Sequence, residues 1–130
     1  MSTPIIFPDV ELWATAYLRT ALAAYGYPGT FVSNARGTQT TAVWVRRDGG
    51  PALDAIREAA RLGVNVFAPT EQAVANLART VSALLVAAPD GAPVVKVTQT
   101  SGPSPIADSG PRRYMTFEIT VRGAELAPTP

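Results

Sequence analysis

The run Arg61-Leu62-Gly63-Val64-Asn65-Val66-Phe67-Ala68-Pro69-Thr70-Glu71-Gln72-Ala73-Val74-Ala75-Asn76-Leu77-Ala78 decides the fold, because its apolar period changes from two residues to about 3.6 partway along. Leu62, Val64 and Val66 alternate with Gly63, Asn65 and Phe67, which predicts a strand over Arg61 to Ala68. Pro69-Thr70 then opens a helix with Thr70 as its cap. Val74, Leu77, Ala78, Val81, Leu84, Leu85 and Ala88 form its buried stripe, and Pro89-Asp90-Gly91 stops it. Upstream, Ala52 to Ala60 has helical propensity but also abuts the strand, so it reads either as a short helix or as the strand's extension.

Working outward, Pro8-Asp9 is a helix entry, since the Asp9 carboxylate can accept from amides of the first turn. Val10, Trp13, Ala14, Tyr17, Leu18, Ala21, Leu22 and Tyr25 share one helical stripe that ends at Gly26. Short strands are predicted over Thr30 to Ser33 and Thr40 to Arg47, the second closed by the turn Asp48-Gly49-Gly50-Pro51. A strand over Val94 to Thr100, a Pro- and Gly-rich loop over 101–111 and a last alternating strand over Arg112 to Arg122 complete the pattern. The order α-β-β-β-α-β-β does not alternate strictly, which implies an α+β domain: a mostly antiparallel or mixed sheet with two main helices packed on it. One domain over residues 1–130 is expected, with 1–8 and 123–130 as loose termini.

Composition excludes more than it selects. The chain has no cysteine, so disulfides, thiolate metal sites and a Cys nucleophile are out, and no histidine, the commonest general base near neutral pH. The carboxylates sit mostly at caps and turns, without an Asp-x-Asp pair or an oxygen-ligand cluster. Gly49-Gly50-Pro51 lacks the Lys-Ser/Thr of a phosphate loop, and Ser33 and Ser82 lack a base in any nucleophile motif. No catalytic, metal or cofactor-binding residue is assigned, and the chain reads as a non-enzyme. A net charge of +1 argues against a dedicated DNA binder, and a charged share of 16%, below the usual share of about 25%, leaves apolar surface for a protein partner. No signal-peptide pattern opens the chain and no stretch approaches the roughly 20 apolar residues of a membrane span, so a soluble protein without a membrane partner is expected.

The candidate interface residues are Arg46, Arg47, Arg112 and Arg113 with Pro103, Pro105, Ile106 and Asp108 of the long loop. Adjacent strand residues face opposite ways, so each arginine pair offers one side chain to a given surface; solvated ends or inter-subunit ion pairs are favoured over DNA contact. Trp13, Trp44, Tyr17 and Tyr114 are possible interface anchors, with core packing favoured for Trp13 and Tyr17.

Taken in order, Pro8-Asp9-Val10-Glu11 with its helix, Val43-Trp44-Val45-Arg46-Arg47-Asp48-Gly49-Gly50, Arg61 to Ala68 leading into a helix, the Pro-rich loop and Arg112-Arg113-Tyr114-Met115-Thr116-Phe117-Glu118-Ile119-Thr120-Val121-Arg122 resemble the tail terminator family of siphovirus-like phages, particularly those of actinobacterial hosts. The helical look of Ala52 to Ala60 departs from the basic, charge-mixed turn of that pattern. The resemblance implies a hexameric ring that caps the tail tube, ends its polymerisation and offers a face to head-completion or connector proteins. It places the protein at the head-proximal end of the virion tail, and in the host cytoplasm during assembly. Its partners would be its own copies, the major tail tube protein and the connector, with DNA only passing through the lumen. Ring closure needs two different patches of one subunit to meet, for which a strand edge and the 101–111 loop are the candidates. Another neck or head-tail completion protein, and a small ligand-binding α+β domain, remain alternatives.

Overall fold

In the computed structural model, which describes residues 3–88 and 93–128, the two apolar periods become a sheet and the helices that cover one side of it. The elements are β1 (Ile5–Ile6), α1 (Val10–Ala24), β2 (Phe31–Ser33), β3 (Ala42–Arg47), β4 (Arg57–Phe67), α2 (Glu71–Val86), β5 (Val94–Pro105), β6 (Arg112–Arg122) and β7 (Ala124–Glu125). The order α-β-β-β-α-β-β is therefore present, with a two-residue strand added at each end. Five strands form one mixed sheet in the order β2-β3-β4-β6-β5, in which only β2 and β3 run parallel.

The pairing of β4 with β6 sets both faces. Leu62 lies opposite Phe117, Val64 opposite Met115 and Ala60 opposite Ile119, and all six are fully buried beneath the helices. α1 contributes Val10, Ala14, Leu18 and Leu22 to this core, and α2 contributes Val74, Leu77, Ala78, Val81 and Leu85. Thr70 accepts the Ala73 amide at 3.1 Å and Asp9 the Leu12 amide at 3.0 Å, so both helices begin at the caps expected. The expected stop of α2 at Pro89-Asp90-Gly91 lies outside the described residues. Trp13 and Tyr17 stack at 5.6 Å between ring centroids and pack against the core, while the Tyr17 hydroxyl donates to the Leu84 carbonyl at 2.6 Å. Tyr25, placed on the same stripe, is exposed because the helix has ended before it.

One open reading is resolved and two expectations need correction. Of the two readings of Ala52 to Ala60, the strand's extension is present over its second half and the helix is not: β4 begins at Arg57, and Ala59 and Ala60 are buried in the pairing with β6. Pairing with an existing strand outweighs the weak propensity of so short a segment. Before it, the Asp54 carboxylate accepts the amides of Ile56 and Arg57 at 3.0 and 2.8 Å and turns the chain. The 101–111 loop shrinks to 106–111, since β5 continues through Pro105. An edge strand tolerates Pro103 and Pro105 because one row of its amides needs no partner, and three register shifts along β5 accommodate them. The termini are not loose at 5–6 and 124–125, where β1 pairs with β7.

Gly50 is required by a close approach. It has φ +118°, and a Cβ there would lie 1.9 Å from the Ala59 carbonyl oxygen, whereas Gly49 has φ +81° with open space around it. Gly49→Ala should cost about 1 to 2 kcal/mol for the left-handed backbone alone. Gly50→Ala should cost measurably more in denaturant unfolding; equal losses would contradict the packing of the 48–51 turn on β4.

Candidate functional site

With the helices on one side, the other side of the sheet is bare of helices and carries a polar and aromatic surface. Ala42, Trp44 and Arg46 of β3, the odd residues of β4, the even residues of β6, and Lys96 and Thr98 of β5 share this face by register. Near its middle, a side chain at Gly63 would meet the Asp48 carboxylate and the Tyr114 hydroxyl, at 2.6 and 2.9 Å from a Cβ. Glycine is what lets those two groups lie over the strand. Burial first and the Asp48 carboxylate second push the Tyr114 hydroxyl above its ordinary value.

One end of this face is a cleft of about 540 Å³, floored by Trp44, Phe67 and Ala68 and walled by the segment 35–40 and the loop 106–111. Its two walls are latched together. Arg36 reaches across to Asp108 at 2.7 Å, and Arg112 approaches the same carboxylate at 3.8 Å. Both guanidiniums also lie over the Phe67 ring, at 4.7 and 5.4 Å from its centroid. Arg112 donates through Nε and Nη2 to Asn65 Oδ1 at 3.0 and 2.6 Å, which partners a polar side chain that is only 3% exposed. Trp44 Nε1 donates to the Asn34 carbonyl at 3.1 Å, tying the other wall to the floor.

The eight residues expected at an interface are only partly brought together. Asp108 and Arg112 meet in the latch, and Ile106 closes their loop by donating its amide to the Arg112 carbonyl at 3.2 Å. Arg113 points to the helix side and pairs with Glu71 of α2 at 2.9 Å. The other arginine pair divides in the same way. Arg46 lies on the bare face, bonded to Asp48 at 2.9 Å and over the Trp44 ring, whereas Arg47 binds Glu58 at 2.8 Å. Pro103 and Pro105 belong to β5 rather than to a loop. Arg36, Asn65 and Phe67 are the members that sequence reasoning missed. Arg36 and Asp108 stand 72 positions apart in a chain whose pattern gives no sign that they meet.

Among the described residues, no group of three or more Asp or Glu could hold a metal ion. What the arrangement can do is fix the shape of a cleft of mixed polar and apolar lining through the charged groups that join its walls. The Ser109 amide first, and then the Arg36 and Arg112 guanidiniums, hold the Asp108 carboxyl below its ordinary value. A depressed carboxyl stabilises the latch above the ordinary aspartate pKa of about 3.9 and loses that contribution as the pH falls through the lower folded value. Measured against the intrinsic exchange rate at each pH, the Ile106 amide should therefore be protected at neutral pH and lose that protection in acid. In Asp108→Asn protection should be low at both; neutral-pH protection equal to that of the parent would contradict the latch. No protein-family model matches the chain, and no curated protein matches it either.

Proposed function

We propose that this protein is a structural subunit of a virion, a tail terminator whose copies close into a ring on the tail tube, end its growth and present a face for joining the head. The sequence pattern described above suggests the family, and one structural observation supports the self-association it requires. Four of the exposed large apolar residues, Ile6, Leu53, Ile56 and Leu126, belong to segments that meet at the end of the sheet opposite the cleft. There the Gly123 amide donates to the Ile56 carbonyl at 2.7 Å, and the Leu126 amide to the Pro4 carbonyl at 2.8 Å. Ile6 pairs with Ala124, so Ile6, Ala124 and Leu126 share one side of the β1–β7 ribbon, and a two-stranded ribbon with an exposed apolar side is marginal without a cover.

An apolar end and a cleft with aromatic residues beneath polar and charged walls, at opposite ends of one subunit, are the two unlike patches that a head-to-tail ring needs. A cleft of about 540 Å³ is large enough to receive aliphatic side chains from the next copy. In this reading the Arg36–Asp108–Arg112 latch holds the recess open for the neighbour rather than for a small molecule.

The wild-type phage should produce tails of uniform length joined to heads. Deletion of the gene should leave filled heads and over-long, unjoined tails, scored by electron microscopy. Normal-length tails in the deletion would refute the reading, and normal-length tails that fail only to join would reassign the chain to the neck.

A further inference from the structure

The bare face of the sheet holds a second feature, well away from the cleft. In the register of β4 with β6, Arg57 lies directly opposite Arg122. Lys96 of β5 lies opposite Thr120, one pleat further along the same face, and Arg61 follows opposite Glu118. All four cations are exposed. The carboxylates nearby are Asp54, which pairs with Arg57 at 2.8 Å, Glu118, and Asp48, which lines one hollow with Arg61 and pairs with Arg46 at 2.9 Å. Among the described residues, Arg61, Lys96 and Arg122 are in no ion pair within 4.0 Å. Like charges directly opposite each other on neighbouring strands destabilise a sheet, so this placement works against folding and asks for an anionic partner.

We infer that this basic patch contacts the phosphodiester backbone of a nucleic acid without reading its sequence. Arginine, lysine and threonine hydroxyls are the groups that hold phosphate oxygens, and Thr98 and Thr120 stand among the four cations. Between the cations the one apolar residue of the face, Ala59, is covered at 1% exposure, and the exposed Leu53 and Ile56 beside Arg57 belong to the adjoining apolar end, so the charged groups are what this face itself offers a partner. Base stacking has no platform in the patch: Trp44 lies further along the face, with its indole amine bonded to Asn34 and Arg46 over its ring. The patch belongs to a single subunit, so the inference does not depend on ring formation.

The test is fluorescence anisotropy with a labelled mixed-sequence DNA duplex, the matching RNA duplex and a poly-glutamate peptide, over a series of salt concentrations. The full chain should bind both duplexes, and the logarithm of affinity should fall linearly with the logarithm of salt concentration. In Lys96→Gln/Arg122→Gln that slope should drop by about 0.9 for each cation removed, or roughly 1.8 per subunit in contact. Arg79→Gln, on the exposed side of α2, should bind like the parent. Binding of only one of the two duplexes would assign the source of the phosphate and keep the inference. Arg122→Gln alone should melt at the same or a higher temperature, because it relieves the Arg57–Arg122 opposition. No duplex binding at low salt, an unchanged slope in the double variant, or equal binding of poly-glutamate would overturn it.

Discussion

The antiparallel pairing of β4 with β6, eleven residues long, is the constraint on which the rest of the molecule depends. A slip of one residue would turn one strand's apolar set out: with Leu62 and Val64 kept under the helices, Met115 and Phe117 would go to the bare face and Tyr114 and Thr116 would come in. Each large apolar side chain moved out of the core would forfeit about 1.5 to 3 kcal/mol, and each unpartnered polar group moved in would add its own cost, so no neighbouring register competes. Once this register is set, the helices have only one apolar face to cover. The other face is free to carry charge.

That division separates the surface into regions with different physics. At the cleft end, two guanidiniums that share the Asp108 carboxylate lie over Phe67, so the aromatic floor of the cleft is held by its charged rim. At the far end the β1–β7 ribbon exposes Ile6 and Leu126. On the bare face beside that far end, Arg57 opposite Arg122 offsets sheet stability in favour of charge. Edge protection is unequal as well. The carbonyl of Val32 on the short edge strand β2 is taken by the Arg19 side chain at 3.0 Å, and the long edge strand β5 is irregular and ends in Pro103 to Pro105. Both devices discourage uncontrolled strand addition, which leaves the ends of the subunit as the surfaces suited to orderly assembly.

The parts legible in the sequence are those whose burial follows a simple period. α2 from Thr70 onward and β6 from Arg112 to Arg122 stand where alternation and capping place them, and the stacked Trp13 and Tyr17 pack on the core as their shared stripe implies. Illegible parts depend on contacts made at a distance. Nothing local in Ala52 to Ala60 announces that β6 will pair with it, and prolines at 103 and 105 read as loop until β5 proves to be an edge. The latch is harder still, since the groups over Phe67 come from positions 36 and 112. Asp108 could be picked out as a loop carboxylate, but its partners could not.

The central claim is that copies of this chain join end to end into a ring on the tube. Electron cryomicroscopy of tails isolated from a phage that carries this gene tests it most directly. The account predicts a closed ring of this chain at the head-proximal end of each tail, with Ile6 and Leu126 of one subunit seated in the Trp44–Phe67 recess of the next. A ring built through other surfaces would contradict the assembly described, and tails that lack the chain altogether would contradict the function.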